Sequence, residues 1–499
     1  MSQIFQKRIY WLIFFLYIIL LVIIGFHHEQ WADEALAWII ARDYSFSHIF
    51  IENTKYEGHP FVWYFILKII LSTHIAPPEK MYNWIFIISI AFSGLGIYLF
   101  LFKSKFPMII KCLFPFTFYI FYQHGIIPRN HTLVFPLLAI IACFYLKRLK
   151  HPYIYCVLLA LLFNISAFTF PIAAVLIIFW IIDIYKNKET YSIKKYIIPI
   201  FILLVVGILT AIHMIPPTDS PYCLSIDFSA NKFIDHLWRI AHIYIPISEK
   251  TKNIPIIIIC LVITTIIYTV VMKVYCKNLT QRLLFISINS VLYFVFLALV
   301  LKYWHMGYAL SVLIFTCWIL SEENNITEIP IKKYPVFYLC ILYILTYYIV
   351  GNIQCCIWDI KNNYSASKEV AQFIRNYNLT QYDINGLGFK TLAINAYFEK
   401  NIFYNYPNIA NWCSKPSDKE IYLQRSQKHT PIIILSTFDT EEYNDIIDSL
   451  KSDYNIYLFK ATNIGLNYKS GCYEDDNLYL YIDKNYIENI PNLPELYSQ

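Results

Sequence analysis

Residues 9–26 read IYWLIFFLYIILLVIIGF, and residues 27–64 read HHEQWADEALAWIIARDYSFSHIFIENTKYEGHPFVWY. The first segment is apolar throughout and about as long as a bilayer crossing requires, roughly 20 residues. The second segment follows that span directly and carries Asp33, Glu34, Glu57 and His59. Ionisable side chains at a membrane boundary are costly unless they are paired or functional, so 27–64 is the first candidate site.

The composition of the whole chain points to a membrane protein. Its 499 residues are 58% hydrophobic, with a mean hydropathy of +0.48, whereas soluble domains are about 45–50% apolar. The excess lies in runs of spanning length, which predicts an α-helical polytopic membrane protein. The net charge of +6 comes mainly from Lys and Arg in short loops. That placement indicates membrane topology and does not indicate nucleic-acid binding.

Eleven segments are predicted to span the membrane. They are 9–26, 81–102, 106–123, 131–146, 152–165, 168–185, 195–214, 254–274, 283–301, 303–320 and 334–351. Segment 61–76 is also apolar, but it is short and is interrupted by Lys68 and His74. We therefore assign it to the membrane interface.

The basic residues favour that assignment. With 61–76 at the interface, the basic clusters of the later turns fall on the same side as Lys7 and Arg8, and the positive-inside rule makes that side cytoplasmic. The clusters contain Lys103, Lys105, Lys111, Lys147, Arg148, Lys150, Lys186, Lys188, Lys194, Lys195, Lys273, Lys277, Arg282, Lys332 and Lys333. The N-terminus is then inside, and no small-residue cleavage site follows the first span, so we expect that span to be uncleaved. The outer face receives 27–80, 124–130, 215–253, 302–305 and everything after about 352.

The chain divides into a membrane body, 1–351, and a polar C-terminal region, 352–499, with a hinge expected at 351–363. The C-terminal region predicts a small extracytoplasmic α/β domain. Its expected helices are 367–377, 390–399 and 440–450, and its expected strands are 382–387, 431–436 and 455–459.

The C-terminal region contains no GxGxxG, P-loop or GxSxG motif. We therefore expect a cap or binding module there, and the chemistry elsewhere. Cys413 and Cys472 lie in this region, where they would pair in an oxidising compartment or remain free thiols.

Asp33 and Glu34 are expected in the first turn of an interfacial helix. Trp31, Ala35 and Trp38 are spaced to form one apolar face, and the helix dipole favours acids near the start. An ordinary first turn explains these acids as well as a reaction centre does.

Glu57-Gly58-His59-Pro60 adds a second acidic site on the same face. Gly permits close backbone approach, and Pro fixes the entry into the next helix. Glu57 and His59 could share a divalent metal ion or orient each other, or simply form a polar turn.

Asp33-Glu34 after the first span, followed by Glu57 and His59-Pro60 before an aromatic helix, resembles the GT-C superfamily of integral-membrane glycosyltransferases. The pattern is most similar to bacterial relatives of protein O-mannosyltransferases and of lipid A aminoarabinose transferases. Arg129-Asn130 and the segment 302–307, KYWHMG, resemble further motifs of that superfamily. The chain departs from it at His59-Pro60-Phe61, where many relatives have two prolines, and this departure puts the expected metal site in doubt.

The resemblance implies inverting transfer of a sugar from a polyprenyl-phosphate donor to a hydroxyl acceptor on a surface glycan such as lipopolysaccharide, a lipid or a protein. It implies Asp33 as general base, with Glu34 as its neighbour in the catalytic pair and Glu57 orienting the acceptor or holding a metal with His59. The lipid phosphate needs cationic partners, since Arg grips phosphate oxygens bidentately. The candidates are Arg129, Lys302, His305, Arg239 and His242; snorkelling at a span end equally explains Arg129 and Lys302.

Three other functions stay open. A transporter or flippase of lipid-linked sugars would carry ionisable residues at the membrane midplane and related halves. An O-antigen ligase or polymerase-like enzyme would concentrate its function in a late external loop. A non-catalytic assembly factor would use the C-terminal region to bind a partner. The acids clustered on one face favour the transferase, in a bacterial inner membrane.

Overall fold

The computed structural model describes residues 3–73, 75, 77, 81–220, 230–241, 243–245, 252–298, 303–409, 415–436, 453–463, 474–487, 490 and 493. The membrane body is helical. Its helices are α1 Gln3–His27, α2 Ala32–Asp43, α3 Phe46–His48, α4 Thr54–Glu57, α5 Val62–Ser72, α6 Met81–Lys103, α7 Met108–Leu113, α8 Val134–Phe144, α9 Pro152–Phe163, α10 Phe170–Lys186, α11 Lys194–His213, α12 Ala230–Ala241, α13 Ile254–Tyr275, α14 Leu279–Ala298, α15 Gly307–Glu323 and α16 Pro335–Lys361. Two π-helical segments, Ile49–Asn53 and Tyr119–Ile126, interrupt the α-helices.

Within the described residues, eight helical segments are long and apolar enough to cross a membrane. They are Ile4–His27, Trp84–Lys103, Asn130–Lys147, Lys194–His213, Ile254–Tyr275, Leu279–Ala298, Trp304–Glu323 and Pro335–Lys361. Each coincides with one of the eleven predicted spans, so the chain is a helical membrane protein with several spans.

The other three predicted spans are shorter or broken. α9 has 12 residues and α10 has 17. Segment 106–123 does not form one helix: α7 ends at Leu113, a 3₁₀ turn follows at Phe114–Phe116, and the chain continues as a π-helix. Pro115 lies in that 3₁₀ turn, and a proline lacks the N–H that a continuous helix needs.

Segment 61–76 forms only a short helix. α5 has 11 residues, which at 1.5 Å per residue gives about 16 Å, half the thickness of a bilayer core. Trp63, Tyr64 and Leu67 are buried, and α5 packs on α2.

The basic helix ends meet at one end of the bundle. Lys105 Nζ lies 3.0 Å from Glu322 Oε2, and Arg148 bridges Asp183 at 2.6 Å and Glu323 at 3.1 Å. Two further bonds join the same turns: Lys186 Nζ to Thr280 Oγ1 and Lys277 Nζ to the Asn324 carbonyl. We call this the basic end.

The 27–64 stretch lies at the opposite end. Thr54 Oγ1 is 2.8 Å from His213 Nε2 at the end of α11, and Asp33 contacts Arg129, which precedes α8. The first candidate loop and the basic turns therefore occupy opposite ends of the same helices.

The C-terminal part contains a four-stranded sheet in the order β1-β2-β6-β3, with β1 and β2 parallel and the other pairs antiparallel. The strands are β1 Ile384–Leu387, β2 Ile432–Ser436, β3 Tyr454–Phe459, β4 Thr462–Asn463, β5 Glu474–Asp475 and β6 Leu478–Asp483. The helices are α17 Ser367–Asn376, α18 Leu392–Asn395, α19 Pro416–Ser426 and α20 Lys484–Ile487.

Three predicted strands and the helix at 367–377 are present in the structure. The expected helix at 390–399 is reduced to α18 after a 3₁₀ turn, Phe389–Thr391. The expected helix at 440–450 lies outside the described residues, as do Cys413 and Cys472. α16 continues without a break through Lys361, so within the expected hinge range of 351–363 the chain leaves the helix only at Asn362.

The C-terminal part rests on the 27–64 stretch. Arg42 donates to the carbonyls of Asn395 at 2.8 Å and Phe398 at 2.6 Å, and Lys415 pairs with Glu52 at 3.0 Å. Arg42 lies on α2 and Glu52 on the π-helical segment Ile49–Asn53, so the C-terminal part contacts both elements.

Candidate functional site

α2 is enclosed on nearly every side. The sequence predicts an interfacial helix with one apolar face, but every residue from Glu34 to Ala41 is buried. α5 covers one side and α18 another. Among the residues of its first turn, Asp33 keeps a partly exposed side chain, so this acid faces the open part of the structure.

Glu34 belongs to a buried network around His28. His28 Nε2 is 3.3 Å from Glu34 Oε2, and His28 Nδ1 is 2.9 Å from Asp359 Oδ2. The Tyr122 hydroxyl donates to the same Asp359 oxygen at 3.0 Å, and the Trp31 N–H donates to Glu34 at 3.1 Å. We call these side chains (His28, Glu34, Tyr122 and Asp359) the His28 network.

The charges of the His28 network determine the protonation state of His28. Burial alone lowers the pKa of His28, but the carboxylates of Asp359 and Glu34 outweigh it and raise that pKa to about 10. Burial raises the pKa of Glu34, although His28 opposes this. The imidazolium therefore joins the start of α2 to the end of α16 as a buried ion pair.

This environment changes the role expected for Glu34. Its side chain is 0% exposed, so it cannot reach a substrate from this position. Glu34 holds the first turn of α2, and Asp33, its neighbour on the open side, is the acid available for chemistry.

Asp33 forms an ion pair with Arg129, at 2.8 Å between Oδ2 and Nη1. The two side chains keep 22% and 17% of their surface exposed. The Arg129 backbone is held at the start of a 3₁₀ turn, where its N–H donates to Thr132 Oγ1 at 3.4 Å. A carboxylate and a guanidinium therefore meet at a surface that another molecule can reach.

Glu57 lies beside this pair. Gly58 follows it with φ +67°, a conformation that glycine adopts without strain. Burial and the Asp33 carboxylate raise the pKa of Glu57 to about 8, while Arg129 and a hydrogen bond from the Tyr64 hydroxyl oppose the rise. The carboxyl group is therefore mostly protonated at neutral pH.

His59 completes the group. Burial and the nearby Arg129 lower its pKa to about 4, so the ring is neutral. Its Nδ1 is buried without a hydrogen-bond partner among the described residues. We call Asp33, Glu57, His59, Tyr64 and Arg129 the Asp33 cluster.

The other predicted phosphate-binding residues lie differently. The His305 ring packs on Phe168 at 4.4 Å, and Phe168 packs on Tyr308 at 5.0 Å. Tyr308 lies within electrostatic range of Arg129. Phe168 and Tyr308 therefore lie between His305 and the Asp33–Arg129 pair. Arg239 lies in α12, whose main packing partners are α13 and α14, and it is not among the partners of Asp33 or Arg129. Lys302 and His242 lie outside the described residues.

Glu57 and His59 are the two ligands expected for a metal ion. Within the described residues, no group of three or more His, Cys, Asp or Glu side chains is arranged to hold a metal ion. A divalent site normally needs at least three protein ligands or a substrate phosphate. Metal binding therefore stays a prediction that depends on Glu57 and His59 alone, and no step below uses it.

Sequence reasoning did not identify His28, Tyr64, Tyr122 or Asp359. Asp359 carried a usable signal, since an acid within an otherwise apolar segment calls for a buried partner. Tyr64 and Tyr122 carried none, because both lie in runs of similar aromatic residues.

The chain matches no protein-family model, no curated protein and no solved structure with which it was compared. The resemblance to GT-C enzymes therefore depends on the motifs around Asp33, Glu57, Arg129 and Lys302 alone.

Replacing His28 tests the buried network. We expect His28→Gln to lower the free energy of unfolding by roughly 3–5 kcal/mol, because it leaves two buried carboxylates facing each other without a cation. Thermal unfolding in detergent measures the loss, and His27→Gln, an exposed neighbour, serves as the control. Equal stability of the two variants would contradict an ionised His28.

The raised pKa of Glu57 predicts a pH dependence. The folded protein keeps the Glu57 proton up to about pH 8, whereas the unfolded chain releases it near 4.5, so this group's contribution to stability is present at low pH and is lost as the pH rises through that window. Glu57→Gln should therefore lose less stability than the wild type across this range, measured as unfolding midpoints in a pH series. Glu399→Gln, at an exposed position, should follow the wild type. Parallel curves for the wild type and Glu57→Gln would refute the protonated carboxyl.

Proposed function

We propose that the chain is a GT-C-like glycosyltransferase that moves a sugar from a polyprenyl-phosphate donor to a hydroxyl group, with inversion at the anomeric carbon. The observation that carries the proposal is the Asp33–Arg129 pair, with its 2.8 Å contact and with Glu57 beside it. A base and a phosphate-binding cation are the two groups that such a displacement requires.

In this reaction the acceptor oxygen attacks the anomeric carbon and forms the new glycosidic bond. The bond from that carbon to the phosphate oxygen breaks, and the lipid phosphate leaves with the electron pair. Asp33 accepts the proton of the acceptor hydroxyl, and Arg129 stabilises the negative charge on the departing phosphate. No covalent enzyme intermediate is needed, in contrast to retaining glycosidases.

Glu57 has a different role in this proposal. Since its carboxyl group is mostly protonated at neutral pH, it is a hydrogen-bond donor and not the base. Its position next to Asp33 and Arg129 suits it to orient the acceptor or to donate to a phosphate oxygen. His59 is neutral, and its Nδ1, which has no hydrogen-bond partner in the described part of the chain, offers one more hydrogen-bonding group.

The arrangement of the helix ends supports a location for this chemistry. The positive-inside rule makes the basic end cytoplasmic, so the Asp33 cluster and the C-terminal part would lie on the outer face of a bacterial inner membrane. Lipid-linked sugars present their sugar at that face, and the acceptor would be a surface glycan, a lipid or a protein hydroxyl.

Asp33→Asn tests the proposal. Removing a general base slows such reactions about 10²–10⁴-fold, so the variant should fail to restore the envelope glycan that a strain without the chain lacks, as measured by mass analysis of glycans and lipid-linked sugars. Asp43→Asn, at the other end of α2, should restore it.

The protein level in the membrane is measured for both variants, because a loss of insertion would mimic a loss of activity. Normal transfer by a normally inserted Asp33→Asn protein would overturn the assignment. Because an assembly factor needs no catalytic base, an Asp33→Asn protein that is fully active in cells would favour the non-catalytic assembly factor over the transferase.

A further inference from the structure

A separate cavity lies within the membrane-spanning helices. It has a volume of about 380 Å³ and is bounded by α13, α14 and the end of α12. That volume is in the usual range of small-molecule sites. Thr265, Ile286 and Ser290 on its rim are exposed, so the cavity opens sideways toward the lipid.

The floor of the cavity is polar. The hydroxyl groups of Tyr244, Tyr268 and Tyr293 form a chain, with oxygen–oxygen distances of 3.1 and 2.9 Å. Tyr268 and Tyr293 line the cavity beside Thr264 and Asn289. Polar groups at this depth are expensive, and they normally face a cavity or a partner that satisfies them.

Two of these polar groups are unsatisfied. Asn289 is 4% exposed; its amide donates to the Phe285 carbonyl at 2.8 Å, but its Oδ1 accepts nothing from the described residues. Thr264 is 7% exposed, and its hydroxyl also lacks a partner among them. A buried acceptor without a donor is unfavourable, because it has lost its hydrogen bonds to water and gained none in return. A ligand that brings an O–H group would remove this cost.

The position of these groups restricts the ligand. Thr264 and Asn289 lie at the middle of α13 and α14, and the lining that the described residues form contains no Asp, Glu, Lys, Arg or His. A phosphate or another charged headgroup is therefore unsuited to this depth, because nothing in the lining neutralises it. A neutral hydroxyl on a long apolar chain can lie there, with its chain against Leu261 and Phe285.

We propose that this cavity binds a lipid alcohol, with its hydroxyl donating to Asn289 Oδ1 and its hydrocarbon chain in the groove between α13 and α14. This site is distinct from the Asp33 cluster, which would hold a lipid phosphate. The proposal does not depend on the transferase activity, since binding is measured without turnover.

The test uses a prenyl alcohol that carries a photoactivatable diazirine on its chain, added to the purified full-length protein in detergent. We expect the label to map to peptides of α13 and α14. Unlabelled prenyl alcohol should compete about fivefold better than its methyl ether, because the ether lacks the donor and one hydrogen bond is worth about 1 kcal/mol. Prenyl monophosphate should compete poorly.

Variants sharpen the test. Asn289→Leu and the nearly isosteric Thr264→Val should each lower labelling several-fold, whereas Leu283→Ala, on the lipid-facing side of α14, should not. Two variants are used because one of them could disturb folding. Equal competition by the ether, or labelling that neither variant reduces, would mean an adventitious lipid only. Stronger competition by the phosphate would overturn the assignment to a neutral ligand.

Discussion

The ion pair between His28 and the two buried carboxylates, Glu34 and Asp359, joins α2, which carries Asp33, to α16. Glu34 lies in the first turn of α2 and Asp359 near the end of α16, and His28 itself is 331 residues from Asp359 along the chain. A buried cation between two carboxylates tolerates little displacement, because each lost contact leaves a charge without a partner. The network therefore sets the position of α2 relative to the membrane helices.

Neighbouring acids acquire opposite environments from this arrangement. Successive residues of a helix point about 100° apart, so when Glu34 faces the network, Asp33 must face elsewhere. It faces Arg129, which the turn before α8 presents from the membrane body. Glu57 at the end of α4 and Tyr64 in α5 complete the Asp33 cluster. The C-terminal part covers α2 and leaves Asp33 partly exposed. Glu34 is therefore a structural acid, and Asp33 is an accessible one.

Hydropathy and charge predicted most of the membrane body, because a spanning helix must be apolar over its whole length. They did not predict that 106–123 is broken, although Pro115 could have indicated it. Asp33, Glu57 and Arg129 were predicted as parts of one site from residue type, loop position and the resemblance to GT-C enzymes. In the structure Asp33 pairs with Arg129, and the charges of both act on Glu57. The partners of Glu34 were not predicted, since only the folded chain brings Asp359 beside His28. Strand β6 was missed although Asp475, Asp476 and Asn477 form a turn signal directly before it. Its place between β2 and β3 is set by long-range pairing.

The central claim is that Arg129 holds a lipid phosphate while Asp33 moves a proton. Binding of a prenyl monophosphate to the purified protein tests this division most directly. Arg129→Gln should weaken binding about 10- to 100-fold, since hydrogen bonds to a charged group are worth about 1.5–3 kcal/mol. Asp33→Asn should bind as tightly as the wild type or more tightly, because the competing carboxylate is gone. Unchanged affinity in Arg129→Gln, or a comparable loss in Asp33→Asn, would contradict the account.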